Sequence, residues 1–232
     1  MDAPKYNEKM IAAKAQMLER FKKDTAARDR ARESGRLPSG QTWSKGFPVL
    51  DLGVHPPFDE TEWRFKVWGE VENPVELDWK GFLALPKTAT VSDFHCVTTW
   101  SKMDARWGGV LMTDLLALVK PKAAANFVIQ HCAEQYTTNT SLLEASRPDA
   151  LLAYELDGLP LPLEHGGPMR MVIPTLYAWK SGKFLRGLEL TTRDKPGFWE
   201  TRGYHNRADP WREERHGEPP TDDGFADAAP ER

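Results

Sequence analysis

The sequence predicts a mixed α+β domain of short strands and short helices, preceded by a helical arm. Short segments of alternating or continuous apolar character recur along most of the chain, and Gly, Pro or Asp-Gly residues separate them. The helical patterns are also short and do not alternate regularly with strands, which argues against a repeating βαβ fold. The chain contains 9 tryptophans and 18 prolines among 232 residues, and this composition favours a loop-rich fold over a helical bundle.

The patterns divide the chain into a helical arm, one domain and a flexible tail, predicted at residues 1–35, 36–215 and 216–232. In the arm, residues 5–33 are predicted to form a charged helix, because apolar residues recur there at three- and four-residue steps among charged ones. These apolar residues are Met10, Ala13, Met17 and Phe21. Gly35 and Pro38 end this helix. Docking of the arm on the domain or on a partner is one interpretation. Binding to a membrane surface is the other, and the interspersed acidic residues argue against it.

The first part of the domain is predicted to be an extended segment, a strand and a helix. FPVLDLGVHPPFD at residues 47–59 contains three prolines, which exclude a helix. WRFKVWGEV at residues 63–71 alternates apolar and polar side chains and predicts a half-buried strand. LDWKGFLALP at residues 77–86 predicts a short helix with Asp78 near its start and Pro86 as its stop.

A second strand and a second helix follow. ATVSDFHCV at residues 89–97 predicts a strand that delivers Cys96 to its end. MTDLLALVKP at residues 112–121 predicts a helix with Thr113 as its N-cap and Pro121 just beyond it.

The remainder of the domain is predicted to consist mainly of short strands. NFVIQHCAE at residues 126–134 is one of them, and LLAYELDGLPLP at residues 151–162 contains an Asp157-Gly158 hairpin signal. PMRMVIP and KFLRGLELT complete the set, at residues 168–174 and 183–191. The last stretch, TDDGFADAAPER, is low in apolar residues and predicts a frayed terminus.

Composition excludes several classes of function. The net charge is −3, so no global positive charge favours nucleic acid or an anionic membrane. No apolar run reaches the ~18 residues of a transmembrane helix, and the N-terminus has no apolar stretch typical of a signal peptide. Two cysteines are too few for a disulfide framework. A cytoplasmic protein without a nucleic-acid or membrane partner is therefore predicted.

The two cysteines each follow a histidine, at His95-Cys96 and His131-Cys132. A zinc site is the first alternative, but neighbouring side chains on a strand point to opposite faces and cannot easily chelate one ion. A cysteine nucleophile with a histidine base is the second alternative, and no protease-like signature surrounds Cys96. Cys132 is best interpreted as a small buried apolar residue.

Basic residues cluster late in the domain. HGGPMR contains glycines, but it does not lie between a strand and a helix as a phosphate-binding glycine loop does. Four basic residues follow in a window rich in apolar and aromatic residues: Arg170, Lys180, Lys183 and Arg186. Convergent Arg and Lys side chains hold phosphate groups in proteins, whereas the same spacing also fits a solvated strand face. Both interpretations stay open on spacing alone.

One stretch gives a specific resemblance. FHCVTTWSKMDARWGGV, from Phe94 to Val110, resembles the cysteine-ligand segment of the sulfite oxidase-type molybdopterin domain, in particular its short bacterial members. It is also similar to the catalytic subunit of the periplasmic methionine-sulfoxide reductase. Further segments resemble the same family in order along residues 36–215: FPVLDLG, WRFKVWGEV, GGPMRMVIP, WKSGKF and GFWETRGYHNRADPW. The implied fold is the α+β sulfite-oxidase-type molybdopterin-binding domain.

The resemblance implies a molybdenum-molybdopterin cofactor and assigns residues to it. Cys96 would be the one protein ligand of molybdenum, and a soft thiolate suits a redox metal bound mainly by sulfur. The cofactor-binding positions that match the family are His165, Arg170, Ser181, Gly182 and Lys183. His165 stands where relatives have asparagine, and Ser181-Gly182 stands where they have Gly-Ile. Thr137 or Thr138 matches a further contact, and Asp51 and His55 are candidates in the extended segment.

The resemblance also implies a reaction class. It predicts an oxidoreductase that transfers an oxygen atom at a cysteine-ligated molybdenum centre, with a small-molecule substrate and a separate electron-transfer partner. The alternative is a molybdopterin-binding protein that stores or relays the cofactor without turnover. CVTTWS follows the reductase-like pattern, so sulfite is not established as the substrate.

Four residues near Cys96 have open roles. Asp104 and Arg106 either meet a substrate or lie in a solvated loop. Trp100 and Trp107 either wall the substrate funnel or pack in the core, and packing is favoured for both.

Overall fold

The structure is a computed structural model that describes residues 26–49 and 55–217. The chain forms two units that divide after Pro38. In the first unit, residues 26–33 form helix α1, which closes with the amide of Ser34 donating to the carbonyl of Arg30 at 2.9 Å. Gly35 follows with a φ of 71°, so the helix ends where the sequence predicts.

Several predictions fall outside the described residues. They concern the four apolar positions of the arm, the candidate contact Asp51 and most of the flexible tail. The predicted domain limits of 36–215 stay a prediction.

The described residues of the second unit contain eleven strands. They are β1 (Thr42–Trp43), β2 (Arg64–Gly69), β3 (Val75–Asp78), β4 (Thr88–His95), β5 (Trp100–Leu111), β6 (Phe127–Cys132), β7 (Thr137–Ser141), β8 (Leu151–Leu156), β9 (Leu159–Pro160), β10 (Arg170–Val172) and β11 (Leu185–Thr191). Three short α-helices accompany them within the described residues: α2 (Trp79–Leu83), α3 (Met112–Val119) and α4 (Leu142–Ala145). Five single-turn 3₁₀ helices lie in the connections, at Ala133–Gln135, Leu163–His165, Ala178–Lys180, Glu200–Arg202 and Pro210–Arg212.

The strands form two sheets. The first has six strands in the order β1-β5-β8-β10, with β4 beside β5 and β9 beside β8. The second has five strands in the order β3-β2-β11-β6-β7. Only the β1-β5 and β2-β11 pairs are parallel within the described residues. Mixed, largely antiparallel sheets with few helices confirm the predicted α+β class.

Two apolar cores cover opposite faces of the first sheet. The larger takes side chains from both sheets and from α2 and α3, and Leu152 of β8 contributes to it. The smaller includes the neighbouring Leu151 together with Phe94 and Trp107. Because successive side chains of a strand point to opposite faces, β8 is buried on both sides. This smaller core contains Phe94, two residues before Cys96, and thus supports the end of β4.

Several predicted elements are confirmed in detail. In β2 and the residue before it, Trp63, Phe65 and Val67 are buried while Arg64 and Lys66 are exposed, as the alternation predicts. The Asp78 side chain caps α2 by accepting a hydrogen bond from the amide of Gly81 at 2.7 Å. Asp157 and Gly158 connect β8 to β9 with φ angles of 53° and 79°, the two positive values that a tight hairpin turn needs.

The segment after Cys96 is a strand rather than a loop. Strand β5 carries Asp104 and Arg106 on its exposed side, which corrects the interpretation of a solvated loop. Its buried positions alternate with exposed ones, but two of them are the small residues Ser101 and Ala105, which weaken the apolar signal. Gly109 is required there, since a Cβ atom would lie 2.2 Å from the carbonyl oxygen of Leu152 on β8.

Three other strands and one cap differ from the sequence prediction. The sequence patterns do not predict β1, β3 or β7 as strands. Leu111, not Thr113, is the N-cap of α3, and it makes no capping hydrogen bond through its side chain. Strand β5 runs directly into α3, so Thr113 already lies inside the first turn. In the described parts of the chain, no helix has the length and apolar character needed to cross a bilayer.

Candidate functional site

Cys96 lies in the tight connection between β4 and β5. Its amide donates to the carbonyl of Trp100 at 2.9 Å, and its carbonyl accepts from the amide of Thr99 at 3.1 Å. Thr99 adopts a φ of 71°, which turns the chain back into β5. The Cys96 Sγ lies 3.2 Å from the hydroxyl oxygen of Thr98. The strand prediction is therefore confirmed, and Cys96 follows the last residue of β4.

A cavity of about 660 Å³ opens beside this loop. Its walls bring together six of the residues predicted from the sequence: Cys96, His165, Arg170, Ser181, Gly182 and Lys183. The volume is typical of a site for a cofactor or a drug-sized ligand. These six residues, which are up to 87 positions apart in the sequence, thus meet on one concave surface.

Arg170 is a buried cation in the wall of this cavity. Its guanidinium donates to the carbonyl oxygens of Met171, His165 and Ser181, at 3.2, 2.8 and 2.8 Å. It also lies over the ring of Phe94, 4.8 Å from the centroid. Burial lowers the pKa of Arg170 to about 10, and no carboxylate of the described residues is among its electrostatic partners. Arg170 therefore contributes a buried positive charge to a wall that also contains the exposed Glu134, and this charge favours an anionic ligand.

Two further basic side chains line the cavity. The Lys183 Nζ donates to the carbonyl of Glu164 at 2.7 Å. The His165 ring stacks on Phe47 with 4.4 Å between centroids, and burial lowers the pKa of this imidazole. His165 is therefore predominantly neutral at pH 7, and Arg170 and Lys183 supply the positive charge.

The segment Ser181-Gly182 is fixed by the strands beneath it. The Ser181 hydroxyl accepts from the amide of Ile173 at 3.0 Å, and the amide of Gly182 donates to the Gln130 side chain at 2.9 Å. A Cβ atom on Gly182 would lie 2.7 Å from the Cys132 sulfur, so only glycine fits without movement of the core. These contacts hold the Ser181-Gly182 segment, which lines the cavity, in one conformation.

Aromatic side chains form much of the remaining wall, and sequence reasoning did not assign most of them. They are Phe47, Phe94, Trp100, Tyr136, Trp179, Phe184, Phe198, Trp199 and Tyr204. The signal available was the GFWETRGYHNRADPW segment, which contributes three of them. Trp100 thus belongs to the cavity wall, whereas Trp107 is 1 % exposed, does not line the cavity and packs in the smaller core.

Other predicted residues lie elsewhere. Thr138 is buried outside the cavity wall, where its hydroxyl donates to Glu200 at 2.8 Å. Lys180 forms a fully buried ion pair with Glu200 at 2.6 Å, which removes it from the proposed phosphate cluster. Arg186 does not line the cavity, nor does His55, which is exposed. Asp104 and Arg106 are likewise absent from the wall.

The structure bears on the two alternatives for the His-Cys pairs, a zinc site and a cysteine nucleophile, and on the interpretation of Cys132 as a buried apolar residue. Within residues 26–49 and 55–217, no three His, Cys, Asp or Glu side chains lie close enough together to hold a metal ion. His131 pairs with Glu189 at 3.1 Å, and His95 bonds through Nδ1 to Ser101 at 2.8 Å. Burial raises the pKa of Cys132 to about 12, so its thiol is protonated and unreactive, as expected of a buried apolar residue.

The polar and sulfur-containing groups in the cavity wall fit a large anionic ligand that binds partly through a cysteine sulfur. The cavity offers one thiol, a buried cation without a carboxylate partner in the described residues, a lysine and an ordered backbone segment. A soft thiolate suits a redox metal, and the cations suit a phosphate. The residues present therefore fit a molybdopterin cofactor.

Comparisons with known proteins agree with this geometry. Residues 52–199 match the family model of the oxidoreductase molybdopterin binding domain. The chain is similar to the uncharacterized oxidoreductase YuiH of Bacillus subtilis, with 43% identity over 79% of this chain and 93% of that protein. It is also 32% identical to the putative protein-methionine-sulfoxide reductase subunit YedZ1 of Azospira oryzae, over 63% of this chain and 56% of that protein.

Similarity extends to a more distant sequence and to one solved structure. Sulfite oxidase of Arabidopsis thaliana is 29% identical over 59% of this chain and 44% of its own. The crystal structure of the sulfane dehydrogenase SoxCD from Paracoccus pantotrophus superposes with a TM-score of 0.57 at 20% identity, covering 68% of this chain and 46% of that one. Apart from YuiH, the chain thus spans about half the length of these relatives. The chain belongs to the oxidoreductase molybdopterin-binding domain family, and its cofactor is molybdenum-molybdopterin.

Proposed function

We propose that this oxidoreductase transfers an oxygen atom to or from a small molecule, with Cys96 as the protein ligand of molybdenum. The observation that carries the proposal is the position of Cys96 in the wall of a cavity that also contains the buried cation of Arg170. No other cysteine of the described residues lines that cavity.

The chain's residues have separate roles in this proposal. The bound cofactor supplies two-electron redox chemistry at its metal. Cys96 contributes a thiolate, which metal binding keeps deprotonated. Arg170 and Lys183 offset the negative charge of the pterin phosphate, and the rigid Ser181-Gly182 segment forms part of the wall against which the pterin lies. The aromatic wall excludes water from the reacting region, which strengthens electrostatic interactions inside it.

The substrate is proposed only as a small molecule, with electrons exchanged through a separate partner. The named relatives include a sulfite oxidase and a putative methionine-sulfoxide reductase subunit, so the names of related chains point to different substrates. A cofactor carrier is the alternative function, and turnover with a dye as electron donor or acceptor separates it from an enzyme. A cytoplasmic location stays a prediction.

Metal analysis tests the identity of the bound group. Protein purified from a host that synthesises the cofactor is expected to contain about one molybdenum per chain and no stoichiometric zinc, because the cavity offers a single thiol. Elemental analysis and the fluorescence of acid-oxidised pterin are the measurements. Stoichiometric zinc without pterin fluorescence would contradict the proposal.

Lys183→Ala tests the phosphate contact. Loss of a hydrogen bond to a charged group costs about 1.5–3 kcal/mol, so cofactor affinity is expected to fall about tenfold or more. Occupancy is measured at limiting cofactor, and circular dichroism checks that the chain stays folded. Lys122→Ala is the control, since Lys122 pairs with Glu70 at 3.6 Å and does not line the cavity. Equal occupancy in both variants would show that Lys183 does not bind the phosphate.

A further inference from the structure

A chain of buried hydrogen bonds links Cys96 to a residue far away in the sequence. The Gln41 side chain, 55 positions before Cys96, donates from Nε2 to the Cys96 carbonyl at 3.1 Å. Gln41 is only 2 % exposed, although its side chain is polar, so the hydrophobic effect does not account for its burial. Burial of an amide side chain is costly unless its polar atoms are bonded, so this contact fixes the side chain in place.

The other end of the Gln41 amide is also bonded. Ser101 donates from its hydroxyl to Gln41 Oε1 at 3.3 Å, and the Ser101 oxygen lies 2.8 Å from His95 Nδ1. Since the hydroxyl proton goes to Gln41, the Ser101 oxygen accepts from a protonated Nδ1 of His95. Ser101 is 0 % and His95 1 % exposed. These three hydrogen bonds therefore run in one direction, from His95 through Ser101 and Gln41 to Cys96.

This chain closes a ring, because His95 and Cys96 are adjacent in the sequence. The ring ties together the end of β4, the second residue of β5 and the residue before β1. Aligned hydrogen bonds in a buried site strengthen one another.

Both backbone polar groups of Cys96 are thereby held. Its amide donates to Trp100 at 2.9 Å, and its carbonyl accepts from Thr99 at 3.1 Å and from Gln41 at 3.1 Å. A carbonyl oxygen has two acceptor sites, so both are occupied. The next carbonyl, of Val97, accepts from the Arg215 guanidinium. With the backbone fixed on either side, the orientation of the Cα–Cβ bond of Cys96 is fixed as well.

We propose that Gln41 is a positioning residue for the Cys96 thiol, acting through the Cys96 carbonyl. Groups that orient a ligand set the geometry of its metal, and a ligand held by a buried network is pre-organised before the metal arrives. The assignment of this thiol as the molybdenum ligand rests on the proposed function. The positioning of the thiol by Gln41 is independent of that function.

The first test uses thiol reactivity in the full-length chain purified without cofactor. Gln41→Met keeps the side-chain volume but removes the donor to Cys96, and a lost hydrogen bond to a buried carbonyl raises the population of the open loop about tenfold. Alkylation of Cys96 by iodoacetamide, followed by peptide mass spectrometry, is expected to accelerate about tenfold. Cys132, buried in the core, is expected to stay unreactive in the same sample.

The second test uses the loaded protein. Gln41→Met is expected to alter the sulfur-to-molybdenum absorption band while the molybdenum content stays the same. Thr42→Val is the control, because the Thr42 hydroxyl bonds to Thr99 in the same loop at 2.9 Å but does not contact Cys96. This variant is expected to leave both the band and the alkylation rate unchanged.

The outcomes separate positioning from simple stability. If Cys132 becomes reactive together with Cys96, the substitution has loosened the whole core and the proposal is overturned. Unchanged alkylation and an unchanged band would overturn it too. If Gln41→Met does not fold, Ser101→Ala removes the hydroxyl that links His95 to the Gln41 amide and orients that amide, and the same acceleration confined to Cys96 is expected. Failure to find molybdenum at all would contradict the proposed function but not the alkylation result.

Discussion

Cys96→Ser is expected to abolish turnover while some cofactor stays bound. A serine hydroxyl is barely ionised at neutral pH, so molybdenum would lose the protein thiolate that we propose as its ligand. Arg170, Lys183 and the Ser181-Gly182 backbone would still contact the pterin, because none of them depends on Cys96. The measurements are dye-coupled activity, pterin content and the visible spectrum, which is expected to lose its sulfur-to-molybdenum contribution.

Cys132→Ser is the matched control. Both cysteines are buried at the end of a strand, but Cys132 packs in the larger core and does not line the cavity. The change is expected to cost about 1 kcal/mol of unfolding free energy for a poorly bonded hydroxyl, with activity retained. If Cys132→Ser abolished activity while Cys96→Ser kept it, the assignment of the site would be wrong.

Glu200→Gln is expected to destabilise the fold by about 3–5 kcal/mol, because it leaves the Lys180 ammonium buried without its carboxylate. Lys180 and Glu200 are both 0 % exposed, with 2.6 Å between Nζ and Oε1. The remaining contacts of Lys180, to the backbone and side-chain oxygens of Asn139 at 2.9 and 3.0 Å, do not neutralise its charge. Urea unfolding of the full-length chain measures the loss as a lower midpoint.

Two further variants show whether burial is the cause. Glu76→Gln removes the partner of Lys66 in an ion pair of 3.1 Å whose side chains are more than half exposed, and no measurable change is expected. The double variant Lys180→Met/Glu200→Gln is expected to recover part of the lost stability, since no unpaired charge remains. An equal loss in Glu76→Gln and Glu200→Gln would contradict this explanation.

The buried pair also matters for the site. Lys180 directly precedes the Ser181-Gly182 segment, and Glu200 directly follows the cavity residues Phe198 and Trp199. The ion pair therefore connects two walls of the cavity. Sequence reasoning placed Lys180 among phosphate-binding candidates, because spacing along the chain gives no information about a partner 20 positions away in another segment.

Strand β7 is another element that local patterns could not predict. Its sequence, TTNTS, is wholly polar, yet Thr138 and Asn139 are fully buried. Asn139 bonds to Asp194 at 2.6 Å and to Asn206 at 2.8 Å, and these partners come from a segment far along the chain. Since polar side chains enter a core only with bonded partners, the burial of β7 depends on contacts that a local pattern does not contain.

The sequence by itself determined the elements whose signals are local, together with the family. The alternation in WRFKVWGEV, the Asp157-Gly158 turn and the strand ending at Cys96 each depend on a few neighbouring residues. The tertiary structure alone decided which basic residues face the cavity, which tryptophan lines it, and how Gln41 reaches the Cys96 carbonyl. The physical reason is that burial and hydrogen bonding depend on partners brought together by folding, whereas turns and strands follow from local backbone preferences.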